Sequence, residues 1–177
     1  MNNKTKAIIV VGGTGGHVFP GCNLAKHLIE ENYNVRIVTD KRGLKYLENF
    51  KDLKISVLKS SPLISKNIFT IFFSSLLILY SIITSLIFLI LNRPSIIFGM
   101  GGYASFPLCL AAAFLNIKFV IYENNLVLGK ANKYLLPFTE KLIVSFKELE
   151  GVPTKYQNKI HKIGKIIYYH QHIYLSD

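Results

Sequence analysis

Gly12-Gly13-Thr14-Gly15-Gly16-His17-Val18-Phe19-Pro20 follows directly on the apolar run Ala7-Ile8-Ile9-Val10-Val11, and this junction decides the fold. A β-branched run ending in glycines reads as a strand and a turn, and residues 18–31 then place Leu24, Ala25, Leu28 and Ile29 at helical spacing. The alternation continues outward. Residues 34–39 read as a second strand, 43–50 as a short helix, and 54–58 as a third strand with Ile55 and Val57 alternating. Residues 96–98 lead into Gly99-Met100-Gly101-Gly102-Tyr103, residues 108–115 read as a helix with Pro107 near its start, and 119–122 as a strand ending at Glu123-Asn124-Asn125. Residues 142–145 and 160–163 complete the series. Strands alternating with helices, without hairpin signals, predict an α/β fold: a parallel sheet with helices on both faces and ligands beyond the carboxyl ends of the strands.

Both glycine loops fall at such ends. Glycines let the backbone approach a ligand closely, and the helix that follows offers unpaired N–H groups and a partial positive charge, so each loop suits a phosphate. The first loop is not a P-loop, because no Lys-Ser/Thr pair closes it, and its spacing is wrong for a dinucleotide fingerprint. Two such loops in one sheet can hold a diphosphate. His17, at the mouth of the first loop, can take a proton from a sugar hydroxyl near neutral pH, or cap the helix, or bond a phosphate. Glu123 ends an apolar strand, where a carboxylate is costly to bury without a purpose; the other reading is a solvent-facing loop residue. Asn124 and Asn125 suit sugar or phosphate recognition, and turn chemistry explains them equally.

Composition narrows the partners. The 177 residues are 50% hydrophobic and 18% charged, enough apolar area for one folded domain and too little charge for a disordered chain. Cys22 and Cys109 are the two cysteines, which excludes a disulfide framework and a four-cysteine zinc site and points to a reducing, cytoplasmic compartment. The start lacks the apolar core and cleavage site of an export signal. A net charge of +11 calls for an anionic partner. Of nucleic acid, a phosphorylated substrate and a membrane surface, the lysines spread over 41–66 and 130–165 with no Arg-rich stripe set nucleic acid aside, and their sum favours a membrane surface. Residues 68–91 read IFTIFFSSLLILYSIITSLIFLIL, without a charge, between Lys66 and Arg93. That length can span a bilayer, lie on one, or form a helix covered by protein. A single crossing would put the two glycine loops in different compartments, which argues for adsorption over a span.

GGTGGHVFP at 12–20, GMGGYASFP at 99–107, and YENN at 122–125 with Gly129-Lys130-Ala131-Asn132-Lys133 downstream resemble the amino-terminal domain of the MurG family, glycosyltransferase family 28. The resemblance runs from about residue 7 to about residue 164 and implies one half of a GT-B architecture, two Rossmann-like domains facing a cleft, with inverting chemistry and no cofactor or obligatory metal. It implies transfer of N-acetylglucosamine from UDP-N-acetylglucosamine (UDP-GlcNAc) to undecaprenyl-diphospho-muramoyl-pentapeptide, forming lipid II for peptidoglycan. It also implies peripheral attachment to the cytoplasmic face of the inner membrane, through an apolar and basic patch that residues 68–91 would supply. Carried onto this chain, His17 becomes the general base, the glycine loops receive the lipid-linked diphosphate, and Thr14, Gly15, Gly16 and Asn125 face the UDP-sugar. Gly101, Gly102, Tyr103 and Glu123 line the acceptor side.

Two departures accompany the likeness. The family's Gly-Asn-Pro-Val-Arg element is replaced by Gly164-Lys165-Ile166-Ile167-Tyr168, so its donor-contacting arginine has no counterpart, and residues 165–177 form a divergent tail. The family's carboxy-terminal donor domain has no counterpart either. The expectation is therefore an acceptor domain over residues 1–164 that is inactive alone and works with a separate donor-domain polypeptide. The alternative is a truncated, non-catalytic remnant that binds membrane or lipid-linked diphosphate.

Overall fold

Strand β1 (Lys6–Val10) sits in the middle of the sheet and shows why the chain folds as layers. Its side chains alternate across the pleat: Ala7 and Ile9 enter one apolar core with Val18, Cys22 and Ala25, while Ile8 and Val10 enter a second with Leu89, Leu108 and Leu135. A strand buried on both faces must be apolar throughout, hence the near-continuous Ala-Ile-Ile-Val run. The computed structural model describes residues 4–60, 68–169 and 172–175.

After β1 come α1 (Gly15–Glu30), β2 (Asn34–Thr39), a single-turn α2 (Lys41–Leu44), β3 (Ile55–Val57) and α3 (Ile68–Asn92). The second half contributes β4 (Ile96–Gly99), α4 (Ser105–Phe114), β5 (Phe119–Glu123), α5 (Lys130–Leu135), β6 (Lys141–Val144), a 3-10 helix (Thr154–Lys159) and β7 (Ile160–Lys162). The seven strands are all parallel, in the order β3-β2-β1-β4-β5-β6-β7. The parallel α/β sheet with helices on both faces is as expected. Three details differ. The first helix starts at Gly15, inside what reads as a loop; the second is one turn long where a helix over 43–50 was expected; and α5 has no counterpart in the sequence reading. The tail also contains an antiparallel pair, β8 (Ile166–Tyr169) with β9 (His172–Leu175), where no hairpin was expected.

The apolar segment is one continuous helix, α3, about 38 Å long at 1.5 Å per residue. It ends where Asn92 returns its side-chain amide to the Phe88 carbonyl at 2.8 Å, Arg93 turns left-handed (φ 44°) and Pro94 blocks continuation. Its packed side is narrow and small: Ser81, Ser85 and Leu89, four residues apart, are buried, and α4 is its main neighbour. The serine hydroxyls bond the Leu77 and Ser81 carbonyls at 2.8 and 2.7 Å, so they demand no outside partner. Phe72, Phe73, Leu76, Leu77, Leu79 and Ile83 are exposed instead. Lys66, expected to bracket this helix, lies outside the described residues.

Candidate functional site

The strand order reverses between β1 and β4, and in a doubly wound sheet the crevice at that switch point is where ligands bind. Both glycine loops leave the sheet there, tied by the Met100 N–H donating to the Val10 carbonyl at 2.9 Å. The loops touch each other. A Cβ on Gly12 would lie 2.4 Å from the Ala104 Cβ, so only glycine permits this approach. Gly101, at φ 89°, adopts a backbone conformation disfavoured for other residues, and a Cβ there would meet the His17 ring at 3.0 Å. The space for a ligand therefore lies beside the second loop, not between the two.

Gly15, Gly16 and His17 form the first turn of α1. Thr14 is its N-cap residue, in extended conformation, and its side chain makes no capping bond, so the positive end of a 16-residue helix is left for an anion. Further along, Pro20 has no N–H to offer the Gly16 carbonyl four residues back. The Asn124 side-chain amide donates to that carbonyl instead, at 3.3 Å. The Asn124 oxygen in turn accepts from the Ser145 hydroxyl at 2.8 Å, so Asn124 locks the end of β5 to the start of α1. These are long-range ties between elements and not the turn chemistry that the sequence suggested as the alternative to recognition.

Glu123 is 2% exposed and stays an acceptor on every side. Oε1 receives the Asn125 backbone and side-chain N–H groups at 3.1 and 2.7 Å, and Oε2 receives the Gly129 N–H at 2.8 Å and the Asn132 amide at 3.0 Å. The carboxylate thus organises residues 123–132 around itself, and the solvent-facing reading does not hold. Asn132 also donates to the Tyr122 carbonyl at 3.0 Å, which fixes its amide orientation and leaves its Oδ1 buried without a partner. His17 Nδ1 is the other such atom among the described residues. Burial holds the His17 imidazole below the ordinary histidine value, countered in part by the Glu123 charge and the Met100 carbonyl. A neutral ring at neutral pH follows.

His17, Gly101, Gly102, Tyr103, Glu123 and Asn125 line one cavity of about 340 Å³ with Lys130 and Asn132. Thr14, Gly15 and Gly16 lie outside it, on the adjoining exposed or half-exposed first turn of α1. Asn125, expected with them, lies in the cavity instead. Gly129, Lys130, Ala131 and Asn132 are the lining residues to which the sequence reading gave no role, although all four fall in the quoted 129–133 stretch. A buried carboxylate at 123 needs donors nearby, and that demand is the signal that points to Asn132. At the neighbouring strand end, Asp40 is 2% exposed and accepts from the Arg42 and Gly43 N–H groups at 3.0 and 2.9 Å and from the Ser60 hydroxyl at 2.9 Å. Burial pushes its carboxyl up, and these bonds with the Arg42 charge bring it below the usual carboxylate range. Asp40 is thus spent on capping α2, which removes the acidic ribose partner a dinucleotide site would need.

A doubly wound sheet with paired glycine loops at its switch point is one half of a GT-B fold. The chain belongs to glycosyltransferase family 28, whose N-terminal domain matches residues 7–144. It is 36% identical over 167 residues to the UDP-N-acetylglucosamine--N-acetylmuramyl-(pentapeptide) pyrophosphoryl-undecaprenol N-acetylglucosamine transferase of Pelagibacter ubique, covering 94% of this chain and 46% of that protein. The transferase of the same name from Rickettsia felis is 37% identical over 162 residues, covering 92% and 44%. The chain spans a little under half the length of these relatives. Among solved structures, Acinetobacter baumannii MurG superposes with a TM-score of 0.72 at 22% identity, covering 89% of this chain and 45% of that one. The UDP-GlcNAc 2-epimerase of Neisseria meningitidis, bound to UDP-GlcNAc, superposes at 0.66 with 16% identity, covering 92% and 46%. Those two likenesses concern the fold.

Proposed function

We propose that residues 1–164 are the acceptor-binding half of a lipid II-forming N-acetylglucosaminyltransferase. The reaction moves GlcNAc from UDP-GlcNAc to undecaprenyl-diphospho-muramoyl-pentapeptide. The observation that carries this reading is a neutral, half-buried His17 whose ring lies against Gly101, near the Glu123 carboxylate, and lines a cavity with a lysine at its rim. A neutral imidazole facing an open cavity is equipped to accept a proton from the sugar hydroxyl as that oxygen attacks the anomeric carbon and UDP departs. The Glu123 charge steadies the imidazolium that forms. Glu123 keeps its own four hydrogen bonds throughout, so it is a positioning residue and His17 the catalytic one.

Anion binding divides between two places. Lys130 and the Gly101–Gly102 backbone flank the cavity and suit the acceptor diphosphate, with Asn132 Oδ1 ready to accept from a substrate hydroxyl or amide N–H. Thr14, Gly15 and Gly16 at the open helix end suit the UDP-sugar brought by a donor-binding half, whether continuous with this chain or a separate polypeptide. The outer face of α3 suits the cytoplasmic leaflet of the inner membrane: a helix that buries serines and exposes phenylalanines and leucines fits an apolar medium better than water.

The test is GlcNAc transfer to a lipid-linked acceptor by the chain alone, and by the chain supplied with a donor-binding half. The expected result is no turnover alone and turnover in combination, abolished by His17→Ala. Transfer by the chain alone would overturn the division of labour. Lipid binding without transfer in any combination would favour the non-catalytic alternative.

A further inference from the structure

A second cavity, of about 280 Å³, opens beside the first and shares Tyr103, Lys130 and Ala131 with it. Its remaining walls come from three helices: Ile78 and Ser81 of α3, Phe106 and Pro107 of α4, and Tyr134 of α5. Apolar atoms make up the larger share of the walls, with Ser81, Lys130 and the two tyrosines supplying the rest. Ser81 has returned its hydroxyl to the Leu77 carbonyl, and the Phe106 and Tyr134 rings meet edge to face, 6.4 Å apart. The groove thus runs from a lysine at the rim of the glycine-loop cavity to the helix that exposes Phe72, Phe73, Leu76, Leu77 and Leu79.

We infer that this groove seats the first isoprene units of the polyprenyl chain of a lipid-linked diphosphate. Lys130 and the second glycine loop hold the diphosphate, and the chain passes over Tyr103, between α3 and α4, toward the bilayer. The inference rests on the acceptor reading above. Three features select this occupant: the groove is continuous with the anion site, charge stands at one end only, and the other end meets the exposed apolar face of α3. A free anion has no use for the apolar walls. A bilayer acyl chain has no reason to begin at Lys130.

The test uses the full chain and lipid-free probes below their critical micelle concentrations: inorganic pyrophosphate, then dimethylallyl, geranyl and farnesyl diphosphate, with farnesol as the uncharged control. Titration calorimetry should show affinity rising about 10-fold or more from pyrophosphate to geranyl diphosphate, because each buried methylene contributes about 0.8 kcal/mol. The gain should shrink from geranyl to farnesyl as the chain leaves the groove. Ile78→Trp and Ser81→Leu, which fill the groove from α3, should cancel the gain and leave pyrophosphate affinity unchanged, a result that also certifies the fold of each variant. Pyrophosphate binding with no prenyl gain would overturn the groove and spare the acceptor reading. No pyrophosphate binding would overturn both. Farnesol binding as tightly as farnesyl diphosphate, or prenyl gains that survive both variants, would place the chain elsewhere on α3 and overturn the groove.

Discussion

Helices α1 and α3 flank the same parallel sheet and obey opposite rules. α1 buries Val18, Cys22 and Ala25 against β1 and turns Lys26, Glu30 and other polar side chains outward, as a helix between core and water should. α3 buries Ser81 and Ser85 and exposes Phe72, Phe73, Leu76 and Leu79. Each therefore works by a different part: α1 through its first turn, which carries His17 to the cavity, and α3 through its flank, which needs an apolar covering. Burial, and not hydrophobicity alone, separates a helix packed into the core from one that leaves an apolar flank uncovered.

The comparison breaks most visibly at the α3 flank. Replacing Phe72, Phe73 and Leu76 together by serine should lower partition into anionic vesicles by about 10³-fold, from roughly 1.5 kcal/mol or more per buried side chain, while the unfolding midpoint hardly moves. Vesicle co-sedimentation and thermal unfolding on the same variant check both halves. A collapsed midpoint with unchanged partition would make α3 a core helix after all. On α1, His17→Ala should lower turnover of the combined halves by about 10²-fold or more, as loss of a general base does; an unchanged rate would return His17 to binding.

The same residue gives a pH signature. His17 titrates in the folded chain below the ordinary value of about 6.5, so below that pH the unfolded chain binds more protons than the folded one. Stability should fall as pH drops through about 6.5, and His17→Ala should remove that component of the decline, as urea titrations at pH 5.5 and 7.5 would show. Asp40 has the usual depressed carboxylate and adds stability above the unfolded value near 3.9, lost as pH falls through its lower folded value. Asp40→Ala should cost about 1–3 kcal/mol at neutral pH by denaturant unfolding, since it uncaps α2 and strands the Arg42 and Ser60 bonds. Arg93→Glu, at the end of α3, is the smallest effect: a loss of about 1 kcal/mol in membrane affinity at low salt that fades as salt rises.

Much of this was legible in the sequence, for reasons that particular residues display. Runs such as Ala7-Ile8-Ile9-Val10 and Phe119-Val120-Ile121-Tyr122 announce strands buried on both faces, and the uncharged stretch to Leu91 announces α3 almost to the residue. The start of α1 was hidden because Gly15 and Gly16 are poor helix formers and the exposed or half-exposed turn they open has no side-chain cap to mark it. α5 escaped because six residues give too little periodicity to read. Asn132 escaped for a long-range reason: its place depends on the loop that Glu123 folds around itself. The inverted burial of α3 escaped because hydroxyls that bond their own helix look alike in either setting.

The most direct measurement of the central claim is competition binding of undecaprenyl-diphospho-muramoyl-pentapeptide to the chain in lipid nanodiscs. Saturable binding is expected, displaced by pyrophosphate, weakened about 10-fold by Asn132→Ala, and indifferent to UDP-GlcNAc. Tight binding of UDP-GlcNAc with no affinity for the lipid-linked acceptor would contradict it.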